Sequence, residues 1–479
     1  MERLSYSDLL DRAENTGSLY EKEIEEARKE LKASAKGFDK TWVVLDDDPT
    51  GVQTVHDIAV YTDWEKETLF NALKNEKGMF YILTNSRGIT AEASEKLHKE
   101  LMDNLILASK ESKVPFCVIS RSDSTLRGHF PLETDIIAER MKSGLDIETD
   151  GVILAPFFHA GGRITCGNTH YVKYGDDLVP AGETEFAKDE TFGYKNSDLC
   201  MYVEEKTKGR IKAGDVITIS LELLRQGDLE AVEKELERAK NGAPIVVNAL
   251  EASDLEVFGA ALYRSISKGK NFVYRTAADF VKAVGGISDK ALLNGKSLDV
   301  AAGRGGIIMI GSHTAKTTAQ LDKIRDFTNL EFIEYDSDKV LENGLFEETV
   351  KVSCKASSII EKGRTAVVYT KRKVLTLEGD TKEAAIIRSA KISDAFTAVV
   401  EKLSVKPAFI IGKGGITSSD IGTKALKVKR AMVPGQIQPG IPVWKTDENC
   451  RFPNIPYIIF PGNVGDEDTL KKVLEGLTG

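Results

Sequence analysis

Charged and hydroxyl side chains follow three apolar segments in the first half of the sequence, and each segment has the pattern of a buried strand. They are Asp46, Asp47 and Asp48 after residues 41–45, Asn85, Ser86 and Arg87 after residues 79–84, and Arg121, Asp123, Ser124, Thr125 and Arg127 after residues 116–120. Ligands of open α/β sheets bind at the carboxyl ends of the strands, so we expect the three loops to face one cleft. Arginine holds a carboxylate or a phosphate with two hydrogen bonds, and aspartate accepts hydrogen bonds from hydroxyls. The side chains of these loops therefore suit a small polyhydroxylated acid as the ligand. The alternative is that the three loops are ordinary solvated loops without a ligand.

A fourth polar loop follows the strand pattern at 151–155, in the sequence LAPFFHAGGRITCGNTHYV. Gly161 and Gly162 allow a tight turn that presents Arg163 to a ligand. His159 and His170 lack the spacing of the HExxH motif, so the sequence identifies no metal ligands.

The second half of the chain repeats a different pattern, in which a strand is followed by glycine and then by a helix. The turns are Gly311-Ser312, Gly412 to Gly415, and Gly462 to Gly465. Glycine lets a bulky ligand approach the backbone, and the first N–H groups of a helix attract anions. Three such turns favour a polyphosphate or nucleotide cradle. No turn matches Walker A or GxGxxG, and the motifs HRD, DFG and GxSxG do not occur.

Strands that alternate with helical patterns along the chain predict an α/β fold with mainly parallel sheets. The predicted strands are 41–45, 58–62, 79–84, 116–120, 151–155, 215–220, 307–310, 330–335, 365–370, 408–411 and 456–460, and the predicted helices include 90–112, 229–240, 314–325, 381–403 and 466–477. A polar, glycine-rich stretch at 285–305 is typical of a linker or a disordered loop. We therefore expect a helical extension at 1–40, one α/β domain at 41–290 and a second at 300–479, with the active site in the cleft between the two domains.

Composition narrows the class of protein. The 479 residues carry 65 Lys and Arg against 74 Asp and Glu, a net charge of −9, which disfavours a dedicated nucleic-acid binder. The five cysteines form no CxxC pair, which favours a reducing compartment. The sequence shows neither a signal-peptide pattern nor a run of 18 apolar residues, so we expect a cytoplasmic protein without membrane contact.

Seven motifs occur in the order typical of a known family. They are DDDPTG, TNSR, SRSDSTLRG, APFFHAGGRITCGNTHYV, IGSHTAKT, GKGGITS and PGNVG. The sequence resembles the four-carbon acid sugar kinases, which include the threonate, erythronate and 3-oxo-tetronate 4-kinases, from about residue 40 onward. Ile416 stands where many members have an acid, and Arg121 stands where lysine is common. These departures indicate a divergent branch and leave the identity of the sugar open.

The resemblance implies an N-terminal acid-sugar domain and a C-terminal ATP domain. The acid sugar would meet Asp47, Arg87, Arg121, Ser122, Asp123 and Ser124, with Asp48, Arg127 and Arg163 in matching motifs. ATP would meet Ser312, Gly414, Gly415, Ile416, Thr417 and Gly462.

We therefore predict ATP-dependent phosphorylation of the terminal hydroxyl of a short acid sugar. Arg87 and Arg121 would hold the carboxylate, Asp47 and Asp123 would bind hydroxyls, and one of these acids would orient or deprotonate the attacking oxygen. Mg²⁺ is expected with ATP, and its ligands are not identified. The alternatives are an NAD(P)-dependent hydroxy-acid dehydrogenase and a non-catalytic sugar-acid sensor. The expected partner is a small molecule, and a homo-oligomer is left open.

Overall fold

The computed structural model describes residues 4–14, 20–462 and 464–478, and the chain divides into two compact units. The first unit comprises Met1–Thr54 and Asp63–Asp289, and the second comprises Val55–Thr62 and Lys290–Gly479. Each unit has helices packed on a largely parallel sheet, which confirms the predicted fold class.

The observed strands are β1 (Thr41–Asp46), β2 (Ile58–Tyr61), β3 (Met79–Leu83), β4 (Phe116–Arg121), β5 (Gly151–Ala155), β6 (Arg163–Cys166), β7 (Thr169–Tyr174), β8 (Asp177–Pro180), β9 (Ile217–Ile219), β10 (Ala243–Val247), β11 (Phe272–Thr276), β12 (Ile307–Ile310), β13 (Leu330–Tyr335), β14 (Thr365–Thr370), β15 (Ile410–Lys413), β16 (Arg430–Gln438), β17 (Ile441–Thr446) and β18 (Pro456–Phe460). Each predicted strand overlaps an observed one, whereas β6, β7, β8, β10, β11, β16 and β17 were not predicted.

The helices precede the first of these strands, lie between them and follow the last. They are α1 (Tyr6–Glu14), α2 (Tyr20–Gly37), α3 (Lys66–Asn75), α4 (Ala91–Ser112), α5 (Leu132–Leu145), α6 (Leu199–Lys206), α7 (Leu221–Arg225), α8 (Leu229–Glu237), α9 (Ala252–Ser267), α10 (Ala278–Val284), α11 (Ala315–Asp322), α12 (Leu345–Glu361), α13 (Lys382–Glu401), α14 (Gly415–Asp420) and α15 (Thr469–Thr478). In the described part of the chain, none of them combines the length and the apolar character that a membrane crossing requires.

The sheet of the first unit has the order β3-β1-β4-β11-β5-β10-β9, and all of its neighbouring strands are parallel. Its strands are almost continuously apolar because helices cover a parallel sheet on both faces. The register sets Asp46 opposite both Leu83 and Arg121, so the loops after β1, β3 and β4 begin at one edge. A small antiparallel sheet, β6-β7-β8, carries the segment after Gly162.

The second unit contains the parallel strands β13-β14-β12-β15-β18 and the antiparallel strands β17, β16 and β2 beside them. The loops after β12, β15 and β18 therefore begin at one edge of three adjacent strands. This arrangement brings the three glycine-containing turns together.

Strand β2 lies in the sequence range predicted for the first domain, but it pairs with β16 of the second unit, with Tyr61 opposite Arg430. The pairing was not predicted because β16 contains Pro434 and Gly435, which weaken a strand pattern. Hydrophobic periodicity identifies a strand but does not identify its partner.

The stretch at 285–305 has neither helix nor strand, as expected for a linker, yet part of it packs on the second unit. Leu293 and Leu298 are buried in a core cluster with Ile308 and Leu477. The N–H of Leu293 donates to the carbonyl of Gln436 at 2.9 Å. These contacts hold part of the stretch in place.

The predicted extension at 1–40 is helical over α1 and α2, while residues 1–3 and 15–19 lie outside the described residues. Helix α2 packs against α9, with Leu31 buried against Gly259. Two ion pairs flank this contact: Arg28 with Glu256 at 2.7 Å, and Arg264 with Glu30. The extension is therefore part of the first unit rather than a solvent-exposed arm.

Candidate functional site

An arginine–aspartate pair joins the loops after β1 and β3 in the first unit. Arg87 donates from Nε to Asp47 Oδ2 at 3.1 Å and from Nη2 to Asp47 Oδ1 at 2.8 Å. The same guanidinium lies 3.4 Å from the Asp48 carboxylate and 3.8 Å from the Asp123 carboxylate. Burial opposes the charge, but these three carboxylates raise the pKa of Arg87 well above its usual value. Arg87 is thus the cation around which the three loops meet.

Arg121 is more deeply buried than Arg87, and it contacts the loop that carries Asp46, Asp47 and Asp48, called the aspartate loop. Its guanidinium donates to the Asp46 carboxylate and, at 3.0 Å, to the carbonyl of Asp48. A Cβ at Gly51 would lie 1.7 Å from Arg121 Nη2, so any other residue there would displace the guanidinium. The Arg121 side chain is 5% exposed, and its contacts are internal groups of the protein.

The aspartate loop contains carboxyl groups of different character. Burial raises the pKa of Asp46 to about 7, although Arg121 opposes this and Asp47 adds to it. Asp48 is less enclosed, with its side chain 24% exposed, and Arg87 and Thr50 lower its pKa against the effect of burial. Asp48 is therefore ionised at neutral pH, whereas Asp46 titrates near neutrality.

The turn after β4 presents Asp123 between two arginines. Asp123 Oδ2 accepts hydrogen bonds from Arg127 Nε at 2.7 Å and from the Thr125 hydroxyl, while Oδ1 faces Arg87. Burial opposes ionisation, but Arg87 and Arg127 lower the pKa of Asp123 far below its usual value. Asp123 is therefore a permanent anion that can accept a hydrogen bond from a ligand hydroxyl.

The two serines of this turn have different environments. Ser122 is fully buried, and its N–H donates to the carbonyl of Thr276 at 2.8 Å. Ser124 is partly exposed, and its carbonyl lies 2.7 Å from Nε2 of the buried His170. Burial lowers the pKa of His170 to about 4, so the ring is neutral and serves to hold the turn.

Arg163 lies beside Arg127 in the first unit, because both guanidinium groups stack on the ring of Phe186, at 5.6 and 5.2 Å from its centroid. Gly162 adopts φ +70°, which is consistent with the tight turn predicted there. Arg163 donates to the carbonyl of Gly161, and its buried Nε has no hydrogen-bond partner among the described residues. This arginine therefore retains donor capacity for an anionic ligand.

Glu133 and Arg275 are buried charged residues of the first unit that the sequence did not identify. Glu133 accepts hydrogen bonds from Ser86 at 2.7 Å and from Ser120 at 3.0 Å, the residues that precede Arg87 and Arg121 in the sequence. Arg275 of β11 donates to the carbonyl of Arg127 at 2.8 Å, and its Nε and Nη1 have no partner in the described chain. The position of Arg275 within the apolar run FVYRT could have indicated a buried arginine, whereas nothing in the sequence around Glu133 indicated a buried acid.

The three glycine-containing turns of the second unit meet at Ser312. A Cβ at Gly462 would lie 2.7 Å from Ser312 Oγ, and a Cβ at Gly414 would lie 3.3 Å from Ser312 Cβ. Thr314 and Thr317 donate from their hydroxyls to the carbonyl of Gly462 at 3.1 and 3.0 Å. Ser312, Gly414 and Gly462 thus lie against one another and are called the Ser312 surface, in which Gly414 itself is buried. Asn463 of the motif PGNVG lies outside the described residues.

The four residues of the GGIT motif, 414–417, lie in different environments. Gly414 has φ +123°, whereas a Cβ at Gly415 would meet nothing within 4 Å. Ile416 is 72% exposed, and Thr417 is buried beneath Gly311. The structure therefore places Gly414 at the Ser312 surface, Gly415 beside open space and Thr417 under the turn, while Ile416 faces solvent.

Arg372, which sequence reasoning missed, contacts the same surface from the loop after β14. Its Nη2 donates to the carbonyl of Ser312 at 2.6 Å and to the Thr318 hydroxyl at 3.1 Å. Its buried Nη1 has no partner among the described residues. In that part of the chain, no group of three or more His, Cys, Asp or Glu has the arrangement of a metal site.

Two family models match the chain, one in its N-terminal half and one in its C-terminal half. A sugar-binding N-terminal domain matches residues 42–284, and a nucleotide-binding C-terminal domain matches residues 307–470. The chain therefore belongs to the family of four-carbon acid sugar kinase-like proteins, which confirms the family predicted from the motifs. No curated protein sequence matches the chain.

Solved structures share the fold at low sequence identity. A Salmonella typhimurium LT2 protein with the provisional name tRNA synthase is 16% identical with a TM-score of 0.66, over 90% of this chain and 98% of that one. A Haemophilus influenzae protein is 17% identical with a TM-score of 0.61, over 91% and 100% of the two chains. A Bordetella bronchiseptica domain of unknown function, a domain-swapped dimer with bound citrate, is 15% identical with a TM-score of 0.39, over 92% and 98%.

Proposed function

We propose that the protein is an ATP-dependent kinase that phosphorylates the terminal hydroxyl of a short acid sugar, most simply one of four carbons. The observation that carries this proposal is the meeting of Ser312, Gly414 and Gly462 at the ends of three adjacent strands, in a unit that matches a nucleotide-binding domain. The arginine and aspartate cluster of the other unit, which matches a sugar-binding domain, supports the acid-sugar substrate.

The nucleotide half of the proposal rests on the space and chemistry at the turns. Gly415 leaves room for phosphates beside the backbone, and the Ser312 hydroxyl and Arg372 offer donors. Mg²⁺ accompanies ATP in such reactions and takes many of its ligands from phosphate and water, so we assign no residue of this chain to it.

The sugar half of the proposal separates contacting residues from supporting ones by their exposure. Side chains of Arg87, Asp123 and Arg127 are 19%, 11% and 26% exposed, and we assign them with Asp48, Ser124 and Arg163 to the ligand. Asp47 and Arg121 are 2% and 5% exposed, and we infer that they, with the buried Ser122, hold the loops. Arg87, Arg127 and Arg163 would meet the carboxylate, and Asp48 and Asp123 the hydroxyls.

In the proposed reaction the terminal hydroxyl oxygen of the sugar attacks the γ-phosphorus of ATP. The bond from that phosphorus to the bridging oxygen breaks, and ADP leaves with the electron pair. Asp123 orients the hydroxyl and accepts its proton late, which suits a weakly basic carboxylate in a loose transition state. Asp47 is the weaker candidate for this role because Arg87 occupies both of its oxygens.

The test is a screen of four- to six-carbon acid sugars with ATP and Mg²⁺, read by the release of ADP, with Asp123→Asn as the comparison variant. Release of ADP that depends on one acid sugar and is lost in the variant would support the kinase. Reduction of NAD(P)⁺ by the same acids would support the dehydrogenase instead. Binding of ATP and a sugar without turnover would support a sensor.

A cytoplasmic location fits the use of ATP and the five cysteines, none of which forms a disulfide. The homo-oligomer left open by the sequence stays a prediction, which sedimentation of the purified protein would test.

A further inference from the structure

Lys413 is a buried lysine at the carboxyl end of β15, directly before the Gly414–Gly415 turn. Its side chain is inaccessible to solvent, with Nζ 3.2 Å from the carbonyl of Pro461 and 3.7 Å from the centroid of the Phe460 ring. The charged groups that act on it in the described chain are Lys316 of α11 and Arg372 after β14, and both are cations. Within that part of the chain, the lysine thus lacks a carboxylate that would offset its charge.

Such a position is costly for an ammonium group, because burial removes water and the neighbouring cations repel it. Burial, with added repulsion from Lys316 and Arg372, lowers the pKa of Lys413 to about 7. The free protein at neutral pH therefore holds a mixture of amine and ammonium at this residue. An anion at the adjacent turn would shift this balance toward the ammonium form.

The surroundings of Lys413 identify where that anion would lie. Pro461, which accepts the lysine hydrogen bond, precedes Gly462, and Gly414 follows the lysine in the chain. Arg372 holds the carbonyl of Ser312 and keeps a buried Nη1 without a partner in the described residues. Two cations therefore border the surface formed by Ser312, Gly414 and Gly462. A polyphosphate is the ligand whose charge matches them.

We propose that Lys413, supported by Arg372, supplies the positive charge that balances the phosphates of the bound nucleotide, and that it gains a proton from solvent as the nucleotide binds. The amine becomes an ammonium, and no covalent bond of the nucleotide changes. This inference rests on the proposed function, because it requires a nucleotide at the Gly414–Gly415 turn. Lys413 is buried below the Gly414–Gly415 turn, so it acts on the nucleotide through its charge, without touching it, and is a positioning residue.

The experiment measures ADP binding by calorimetry in two buffers of different ionisation enthalpy, between pH 6.5 and 8.5. Wild type is compared with Lys413→Arg, which stays charged, and with Lys413→Met, which stays neutral. Lys351→Met, at a lysine of α12 that is 74% exposed, is the matched surface control. Comparison with Lys413→Arg removes the contribution of protons that the nucleotide itself binds.

We expect wild type and the Lys351 variant to take up more protons than Lys413→Arg. Their affinity should fall with rising pH, relative to Lys413→Arg, by up to about tenfold per unit, the limit for one linked proton. Lys413→Met should bind ADP roughly tenfold more weakly than Lys413→Arg at pH 6.5.

Equal proton uptake and equal pH slopes in wild type and Lys413→Arg would overturn the inference and leave the proposed function standing, since Lys413 would then only tie β15 to Pro461. A wild-type protein that binds no nucleotide would overturn both. Circular dichroism establishes that each variant is folded. If Lys413→Arg does not fold, Lys413→Met replaces it in the comparison. Lower proton uptake in Lys413→Met than in wild type would then support the inference, and equal uptake would overturn it.

Discussion

Arg87 binds both carboxylate oxygens of Asp47, at 3.1 and 2.8 Å, across 40 positions of sequence. The pair joins the loops that follow two neighbouring parallel strands, β1 and β3. Asp47 is almost fully buried, and Arg87 occupies both of its carboxylate oxygens. The pair therefore fixes the relative position of Asp48 and Asp123, which lie on either side of the guanidinium.

Replacing Arg87 should damage sugar binding and spare nucleotide binding. We expect Arg87→Ala to raise KM for the acid sugar roughly ten- to a hundredfold, because a charge-assisted contact contributes about 1.5–3 kcal/mol. Steady-state kinetics measures this effect, and ADP affinity is the control. Arg140→Ala, at an arginine of α5, is the matched variant. An unchanged KM in a folded Arg87→Ala protein would exclude Arg87 from the sugar site.

Replacing Asp123 should affect turnover more than binding. Asparagine keeps the shape of the side chain and an acceptor for Arg127, but it cannot receive the proton of the sugar hydroxyl. We expect Asp123→Asn to lower kcat by a factor on the order of 10²–10⁴, with a smaller change in KM. Asp47→Asn is the comparison, and equal losses in the two variants would leave the proton acceptor unassigned. Full activity in Asp123→Asn would contradict its proposed role.

The two glycines of the turn after β15 should respond differently to valine. Gly415 has open space at its Cβ position, so Gly415→Val should fold normally and lose ADP binding, because the side chain would fill the space proposed for phosphate. Gly414 has φ +123°, which valine tolerates poorly, so Gly414→Val should also lower the melting temperature. Calorimetry and thermal melting separate the two effects. A folded Gly415→Val protein with native ADP affinity would refute the nucleotide cradle.

Asp46 should make stability depend on pH between about 4 and about 7. The pKa of an aspartate is about 3.9 in an unfolded chain, and burial raises the pKa of Asp46 to about 7 in the folded protein. Folding therefore takes up a proton in this window, and stability falls as the pH rises through it. The amide side chain of the Asp46→Asn variant cannot titrate, so wild type should lose melting temperature relative to this variant from pH 4.5 to 7.5. Parallel melting curves for the two proteins would show that Asp46 is ionised in the fold.

Much of the local structure could be predicted from the sequence, because hydrophobic periodicity is a local property. The strand patterns at 151–155, 307–310, 330–335, 365–370 and 456–460 have the observed bounds of β5, β12, β13, β14 and β18. Strands β10 and β11 were missed, since a short apolar run resembles a buried helix segment until its neighbours are known. The partner of β2 was not predictable, because pairing depends on residues more than 360 positions away.

The sequence alone determined the residue types at the strand ends and the family to which the chain belongs. Tertiary structure decided which charges are paired: it enclosed Arg121 with Asp46, set Arg87 among three carboxylates, and placed Lys413 beside two cations. The type of a side chain determines which hydrogen bonds it can donate or accept. Its burial and its distance from other charges determine whether it is ionised and which ligand groups it can still bind. Those two quantities arise only when strands distant in sequence become neighbours in one sheet.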